Sequence, residues 1–226
     1  MMDPKDIFER LITNLQLGVA SFSGFIGIVK ELEINGIYLA GGAVRDAFLR
    51  PDFHAKDLDV FLTPAAFDKV YVYLKKHGNL FVNQFGTHRW QAYGDVEFYY
   101  DIIVIPEFYN GLWICRNITD ALNQFDITVN AIAFDLLLGT FYDPQNGLLD
   151  IKQRILKAVR FDYPEISVSK NISLSRNTVL WFRYIHYARK LDLRIESITA
   201  LWIESNSFRE ASKEEFALHF FSPSIA

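Results

Sequence analysis

The chain has 226 residues, half of them hydrophobic and 22% charged, with a formal net charge of −4 at pH 7. These values suit a folded protein of one large domain or two small ones and exclude a low-complexity chain. A single cysteine, Cys115, excludes an intramolecular disulfide, and no Cys/His cluster resembles a zinc site, which points to a reducing, cytoplasmic-type compartment.

The first charges, Asp3, Lys5, Asp6, Glu9 and Arg10, are mixed rather than basic, unlike a cleavable signal. Asp3-Pro4 is a good cap and first-turn pair for a helix through "KDIFERLITNLQL". Residues 11–29 carry no charge, but Thr13, Asn14, Gln16, Ser21, Ser23 and three glycines interrupt them. They read as two buried helices joined near Leu17-Gly18, not as a membrane span.

"GIYLA" reads as a short buried strand, broken by Gly41-Gly42, after which "AVRDAFLR" has helical spacing. "DLDVFL" alternates like a strand, and Thr63-Pro64 opens a helix that stops at Gly78. Residues 79–105 are rich in aromatic and β-branched types and read as a strand meander. "NAIAFDLLLGTFYDPQNG" predicts a hairpin turning at Gly139-Thr140. From residue 149 the pattern is mostly helical, in "DIKQRILKAV", "SRNTVLWFRYIHYARKLDL" and "ESITALWIES".

Charge is unevenly spread. Residues 1–150 carry 11 Lys and Arg against 19 Asp and Glu, whereas residues 151–194 carry 10 against 3. A basic surface beside an acidic site is one way to hold a polyanion such as RNA; ordinary charge on a helical segment is the other account.

The acidic site is legible in "LAGGAVRDAFLRPDFHAKDLDVFL". Side chains alternate along a strand, so Asp57 and Asp59 share a face while Leu58 points to the core. Two close carboxylates repel each other unless a cation sits between them. Magnesium usually takes one or two carboxylates plus substrate phosphates. A glycine turn opening a helix lets backbone N–H groups approach phosphate oxygens. Each feature alone is also explained by an ordinary turn or a solvated strand.

Together, "GGAVRD...KDLDVFL" resembles the head signature of class II tRNA nucleotidyltransferases (CCA-adding enzymes) and bacterial poly(A) polymerases, in the polymerase-beta-like nucleotidyltransferase superfamily. The resemblance continues in "QFGT", "FYYDIIVI" and "FDITVNAIAFDLLLGTFYDPQNGLLDIKQRILKAV", covering residues 36–160. It implies that Asp57 and Asp59 bind the catalytic metal, magnesium or alternatively manganese. It sets Asp101 where the family often carries a third acid; Glu97 is its rival, because residues 97, 99 and 101 would share one face of a strand. Gly41 and Gly42 would cradle the triphosphate, with Arg45 and Asp46 shaping that loop or touching phosphate. Asp126 and Asn130 match the aspartate and asparagine of the family's RDFTINA string and would contact the sugar or support the metal. Arg183 matches an arginine of the family's neck helix.

The chain departs from the pattern in three places. Gln124-Phe125 stands where the family has two arginines that pair with the triphosphate, leaving Lys56, Arg89 or Arg116 as replacements. The acid and arginine that read the incoming base are missing from residues 176–180, so selection of C and A is not supported. Only about thirty residues follow the neck helix, with no counterpart of the family's tRNA-gripping body. Arg183, His186, Tyr187 and Lys190 recur at helical spacing and read either as a packing helix with a basic edge or as an RNA contact.

The expectation is an α/β (α+β) fold. Residues 1–160 form a nucleotidyltransferase head with a mixed sheet of about five strands, and residues 161–226 a truncated helical neck. The expected activity moves a nucleoside monophosphate from an NTP to a hydroxyl, an RNA 3′ end first, with no membrane partner. A protein or small-molecule acceptor, or a non-catalytic nucleotide-binding descendant, are the alternatives.

Overall fold

Asp3 starts the first helix as its sequence requires: its carboxylate accepts the Lys5 N–H at 3.0 Å, and Pro4 takes the first position, where no N–H is needed. In the computed structural model, which describes residues 3–224, this helix (α1, Pro4–Gly18) is followed by α2 (Phe22–Glu31). Ile7, Leu11 and Leu15 of α1 and Phe22, Phe25 and Val29 of α2 are buried in one core. The charge-free run at residues 11–29 is thus divided between two helices. Among the described residues no helix is long and apolar enough to cross a membrane.

The rest of the chain builds β1 (Ile37–Ala40), α3 (Gly42–Leu49), β2 (Asp57–Leu62), α4 (Pro64–His77), β3 (Gly78–Val82), β4 (His88–Ala92) and β5 (Tyr99–Val104). There follow α5 (Ile118–Leu122), β6 (Ala133–Asp135), β7 (Phe141–Tyr142), α6 (Gly147–Gln153), β8 (Ile155–Leu156) and the hairpin β9 (Ser167–Ser169) and β10 (Ile172–Ser175). The C-terminal part comprises α7 (Arg176–Lys190), β11 (Arg194–Ile195), α8 (Ser197–Ser205) and α9 (Lys213–His219).

One sheet organises the fold, in the order β3-β4-β5-β2-β1-β6-β7. Only β2 and β5 run parallel within it; the other neighbours are antiparallel. The fold class is the expected mixed α/β one. Seven strands rather than about five result because the β6–β7 hairpin joins the same sheet through β1.

The two faces of β2 have different fates. Leu58, Val60 and Leu62 enter the main core with α1 to α4. On the opposite face Phe61 packs with Phe108, Phe125, Cys115, Ile118 and Leu122 in a smaller cluster. That cluster covers one end of the face and leaves the end bearing Asp57 and Asp59 open as a cleft.

Two expectations need correction. The helix begun at residue 147 ends at Gln153, because Arg154 adopts a left-handed conformation (φ 56°) and turns Ile155-Leu156 into a strand beside Arg194-Ile195. Glu97 lies outside β5, exposed in a turn at φ 60°, so it does not share the Asp101 face. The hairpin β9–β10 and the helices α5 and α9 lie in segments where no element was predicted.

Candidate active site

The cleft begins at the β1–α3 turn. Gly41 has φ 71° and ψ −138°, a conformation side chains rarely adopt, and a Cβ there would lie 2.5 Å from the Asp59 Oδ2. Gly42 is not so constrained: a Cβ would meet only the Arg45 guanidinium at 3.6 Å. The first glycine is therefore the one that lets the turn close over the carboxylate.

Strand register sets the acids. Asp59 is directly opposite Asp101 across the parallel β2–β5 pair, and Asp57 lies one alternation away on the same face. Burial pushes the Asp59 carboxyl up to about 7, with the Asp57 and Asp101 charges adding to the shift. Asp57 is raised in the same sense by enclosure and by Asp101. Asp101 is otherwise occupied. The Arg89 guanidinium grips both its oxygens, at 2.7 and 2.8 Å, from the facing position on β4.

A second set of residues forms a continuous polar chain. Arg45 donates to Asp46 at 2.8 Å and to the Asn130 Oδ1 at 2.6 Å. Asn130 donates to Asp126 at 3.0 Å, which also accepts the Ile127 N–H. Arg183 of α7 closes the chain with Nε and Nη2 at 2.9 and 2.7 Å from the Asp126 Oδ2. Burial opposes ionisation of Asp126, but the guanidinium and these donors hold its carboxyl below the usual range. Tyr187, one turn beyond Arg183, is approached by Arg45, Arg183 and Lys190 at 5.6, 5.1 and 5.5 Å from its ring centre.

All ten residues nominated from the sequence, Gly41, Gly42, Arg45, Asp46, Asp57, Asp59, Asp101, Asp126, Asn130 and Arg183, line one cavity of about 470 Å³. Arg50, Lys56, Tyr187 and Lys190 line it too. Of the three cations considered as replacements for the missing arginines, Lys56 is at the cavity; Arg89 is engaged by Asp101, and Arg116 is exposed and paired with Asp120. Neither Gln124 nor Phe125 supplies a cation: Gln124 bonds Trp113 and Cys115, and Phe125, at the cavity wall, packs at a tilt against Phe61 and Phe108. Asn177 points to Tyr163 and Glu165, and Leu180 is in the core. His186 packs on Phe221, away from the cavity. The basic surplus of residues 151–194 is divided: Arg154 and Arg160 pair with Asp192 and Asp162, while Arg183 and Lys190 line the cavity.

The carboxylate row suits a hard divalent cation. Among the described residues no hydrogen-bond donor or basic group within salt-bridge distance engages Asp57 or Asp59, and no group of three or more His, Cys, Asp or Glu side chains is placed to hold a metal ion by itself. Two carboxylates with open coordination are what a magnesium-type ion uses when substrate phosphate supplies the remaining ligands. The adjoining wall carries Arg45 of α3, Arg183 and Lys190 of α7 and the first N–H of α3, at Gly42, a set whose chemistry suits phosphate; the Gly41 N–H is donated to the Ile132 carbonyl at 3.3 Å.

A mixed sheet carrying an aspartate pair beside a glycine turn that opens a helix is the architecture of the nucleotidyltransferase fold. Solved structures share it: a CCA-adding enzyme with CTP matches 93% of the chain and 49% of its own with a TM-score of 0.66 at 19% identity. The Thermotoga maritima CCA-adding enzyme complexed with tRNA matches 86% of the chain and 44% of its own with a TM-score of 0.63 at 20% identity. Residues 37–157 match the Poly A polymerase head domain, and the chain belongs to that family. Among curated relatives, the CCA-adding enzyme of Geobacillus stearothermophilus is 32% identical over 61% of the chain and 35% of its own length. That of Streptococcus pyogenes serotype M1 is 27% identical over 83% of the chain and 45% of its own. The chain thus spans less than half the length of these relatives.

Proposed function

We propose that the protein is a metal-dependent nucleotidyltransferase that moves a nucleoside monophosphate from an NTP to a hydroxyl, with an RNA 3′ end as acceptor. One observation carries the reading: the open aspartate pair, the glycine turn and the side chains of Arg45, Lys56 and Lys190 line a single cavity. The relatives, named as CCA-adding enzymes, support RNA as acceptor.

In the proposed reaction the acceptor oxygen bonds to the α-phosphorus, the bond to the α–β bridging oxygen breaks, and pyrophosphate leaves with its electron pair. Asp57 and Asp59 would hold magnesium, or manganese, which would neutralise charge on the transferring phosphate. The Gly41-Gly42 turn, Arg45, Lys56 and Lys190 hold the triphosphate, and Asp46 fixes Arg45. Asp126 and Asn130 take the sugar edge of the nucleotide, held in place by Arg183. Asp101, steadied by Arg89, accepts a hydrogen bond from the attacking hydroxyl and aligns it, and the hydroxyl proton is released to solvent water as the new P–O bond forms. Base selection resembling the family's is not part of the proposal, because Asn177 and Leu180 are turned to other partners. Residues 1–160 are read as the head and residues 161–226 as a short neck in a reducing, cytoplasmic setting.

The test is incorporation of α-labelled ATP, CTP, GTP and UTP into total RNA and into protein, with magnesium or manganese. Label in RNA that vanishes in an Asp57→Ala, Asp59→Ala double variant is the expected result. Label in protein instead would move the acceptor to a side chain, and no label in any fraction would favour a non-catalytic nucleotide binder.

A further inference from the structure

The helix α8 has two apolar faces where a surface helix needs one. Its inner face is satisfied: Thr199 is fully buried, and Trp202 and Ile203 pack against the core. On the outer face Ile198 and Leu201, one helical turn apart, are 61% and 62% exposed. Phe208, in the 3₁₀ turn that follows the helix, is 69% exposed. Ser205 takes the place between Leu201 and Phe208, so that 198, 201, 205 and 208 follow the alternating three- and four-residue steps of a helix seam. Single exposed apolar side chains are ordinary, but several gathered on one element mark a contact surface.

Charge distinguishes the two ends of this row. Around the first turn of α8 stand Arg154, Lys157 and Arg194, all exposed. The β8–β11 pairing sets Arg194 beside Ile155, and the Ala158 N–H, next to Lys157, donates to the Thr199 Oγ1 at 3.1 Å. The acids at this end are engaged: Asp192 pairs with Arg154 at 2.9 Å, and Glu196 caps α8 by accepting the Thr199 N–H at 2.9 Å. The opposite end carries exposed Glu204, Glu210 and Glu214 against Lys213, while Arg209 is buried and paired with Glu165.

An apolar row with a basic end and an acidic end is complementary to itself. A two-fold axis through Leu201 brings the basic end of one copy to the acidic end of the other. We propose that this face is the contact surface of a symmetric homodimer: two α8 helices pack antiparallel across Ile198, Leu201 and Phe208, and the Arg194 end of each copy faces the Glu204 end of the other. Two identical helices satisfy both ends at once, whereas a uniformly acidic or uniformly basic partner is repelled by one of them. The small Ser205 side chain lets the helix backbones approach closely. No residue of α8 lines the active-site cavity, so pairing leaves that cavity open and is independent of the transfer reading.

The experiment is sedimentation velocity of the full chain over a concentration series reaching about 300 μM. With nine residues α8 is about 13 Å long, so the interface is small and a dissociation constant of about 10–100 μM is expected. Leu201→Glu, at an exposed position, should raise that constant at least about tenfold and leave the melting temperature unchanged. Arg194→Glu and Glu204→Arg should each weaken association about threefold to tenfold, because each sets like charges against one another at both ends of the pair. An equimolar mixture of these two variants should recover the wild-type association, since every Arg–Glu contact is restored between unlike copies. Raising salt should erase the effect of the charge variants but not that of Leu201→Glu.

A wild-type chain that sediments as a monomer at the top of the series overturns the proposal and leaves the face to a different protein. A dimer unaffected by Leu201→Glu places the contact elsewhere and overturns it as well. A mixture of the charge variants that associates no better than either alone refutes the antiparallel arrangement.

Discussion

Asp59 and Asp126 line the same cavity, yet their surroundings could hardly differ more. Asp126 accepts from the Ile127 N–H, from Asn130 and twice from Arg183, and its carboxyl is held below the usual range. Asp59 accepts from no donor among the described residues, faces Asp57 and Asp101, and is pushed up to about 7 by burial and by those charges. A carboxylate whose counter-charge is built into the fold holds structure together. One whose counter-charge is missing from the fold is, in the proposed reaction, left for a cation that comes from outside.

The sharpest way to break this contrast is to neutralise the two kinds of aspartate. Asp57→Asn with Asp59→Asn should lower nucleotide incorporation by about a thousandfold or more. Its melting temperature without metal should be unchanged or higher, since repulsion is relieved, and magnesium should raise the wild-type value but not the variant's. A variant that melts several degrees lower in a chelator would mean that the pair is structural after all.

Asp126→Asn should behave in the opposite way, costing about 3–5 kcal/mol in urea unfolding because Arg183 loses its buried partner. The pH dependence follows from the sign of the shift. The folded-state pKa of Asp126 lies below its unfolded value, so its contribution is complete above about pH 4 and is lost as pH falls through the folded value. Urea midpoints at pH 7 and near pH 3 should converge in the variant relative to the wild type.

The smallest effect concerns the turn between the two regions. Gly41→Ala should cost about 1–3 kcal/mol, combining an unfavourable φ with a Cβ against Asp59, whereas Gly42→Ala should stay within about 0.5 kcal/mol. Urea melts of the pair test this, and equal losses would contradict the geometry described for Gly41.

Much of this arrangement was legible before any coordinates. The glycine turn, the aspartate pair and the cap residues Asp3 and Thr63 are local signals, and local signals survive folding. The grip of Arg89 on Asp101 was not legible, because it depends on the β4–β5 register, which the irregular turn between the two strands does not encode. The early end of α6 escaped for a similar reason: Arg154 leaves helical geometry so that β8 can pair with β11, nearly forty residues downstream. Arg176 gave no sequence signal at all. An arginine in a basic segment reads as a solvated charge until packing sets it against an aromatic ring and leaves its Nε without a hydrogen bond.

The register of β2 carries a final implication for how such a site is kept accurate. Side chains alternate, so a slip of one residue against β5 would bring Leu58 and Val60 into the cleft and drive Asp57 and Asp59 among the main-core side chains. No such misalignment could persist, because ionised carboxylates are not tolerated there. The apolar residues of β2 therefore act as a gauge for the polar ones: a chain that has found its core has, in the same step, aligned its reactive edge.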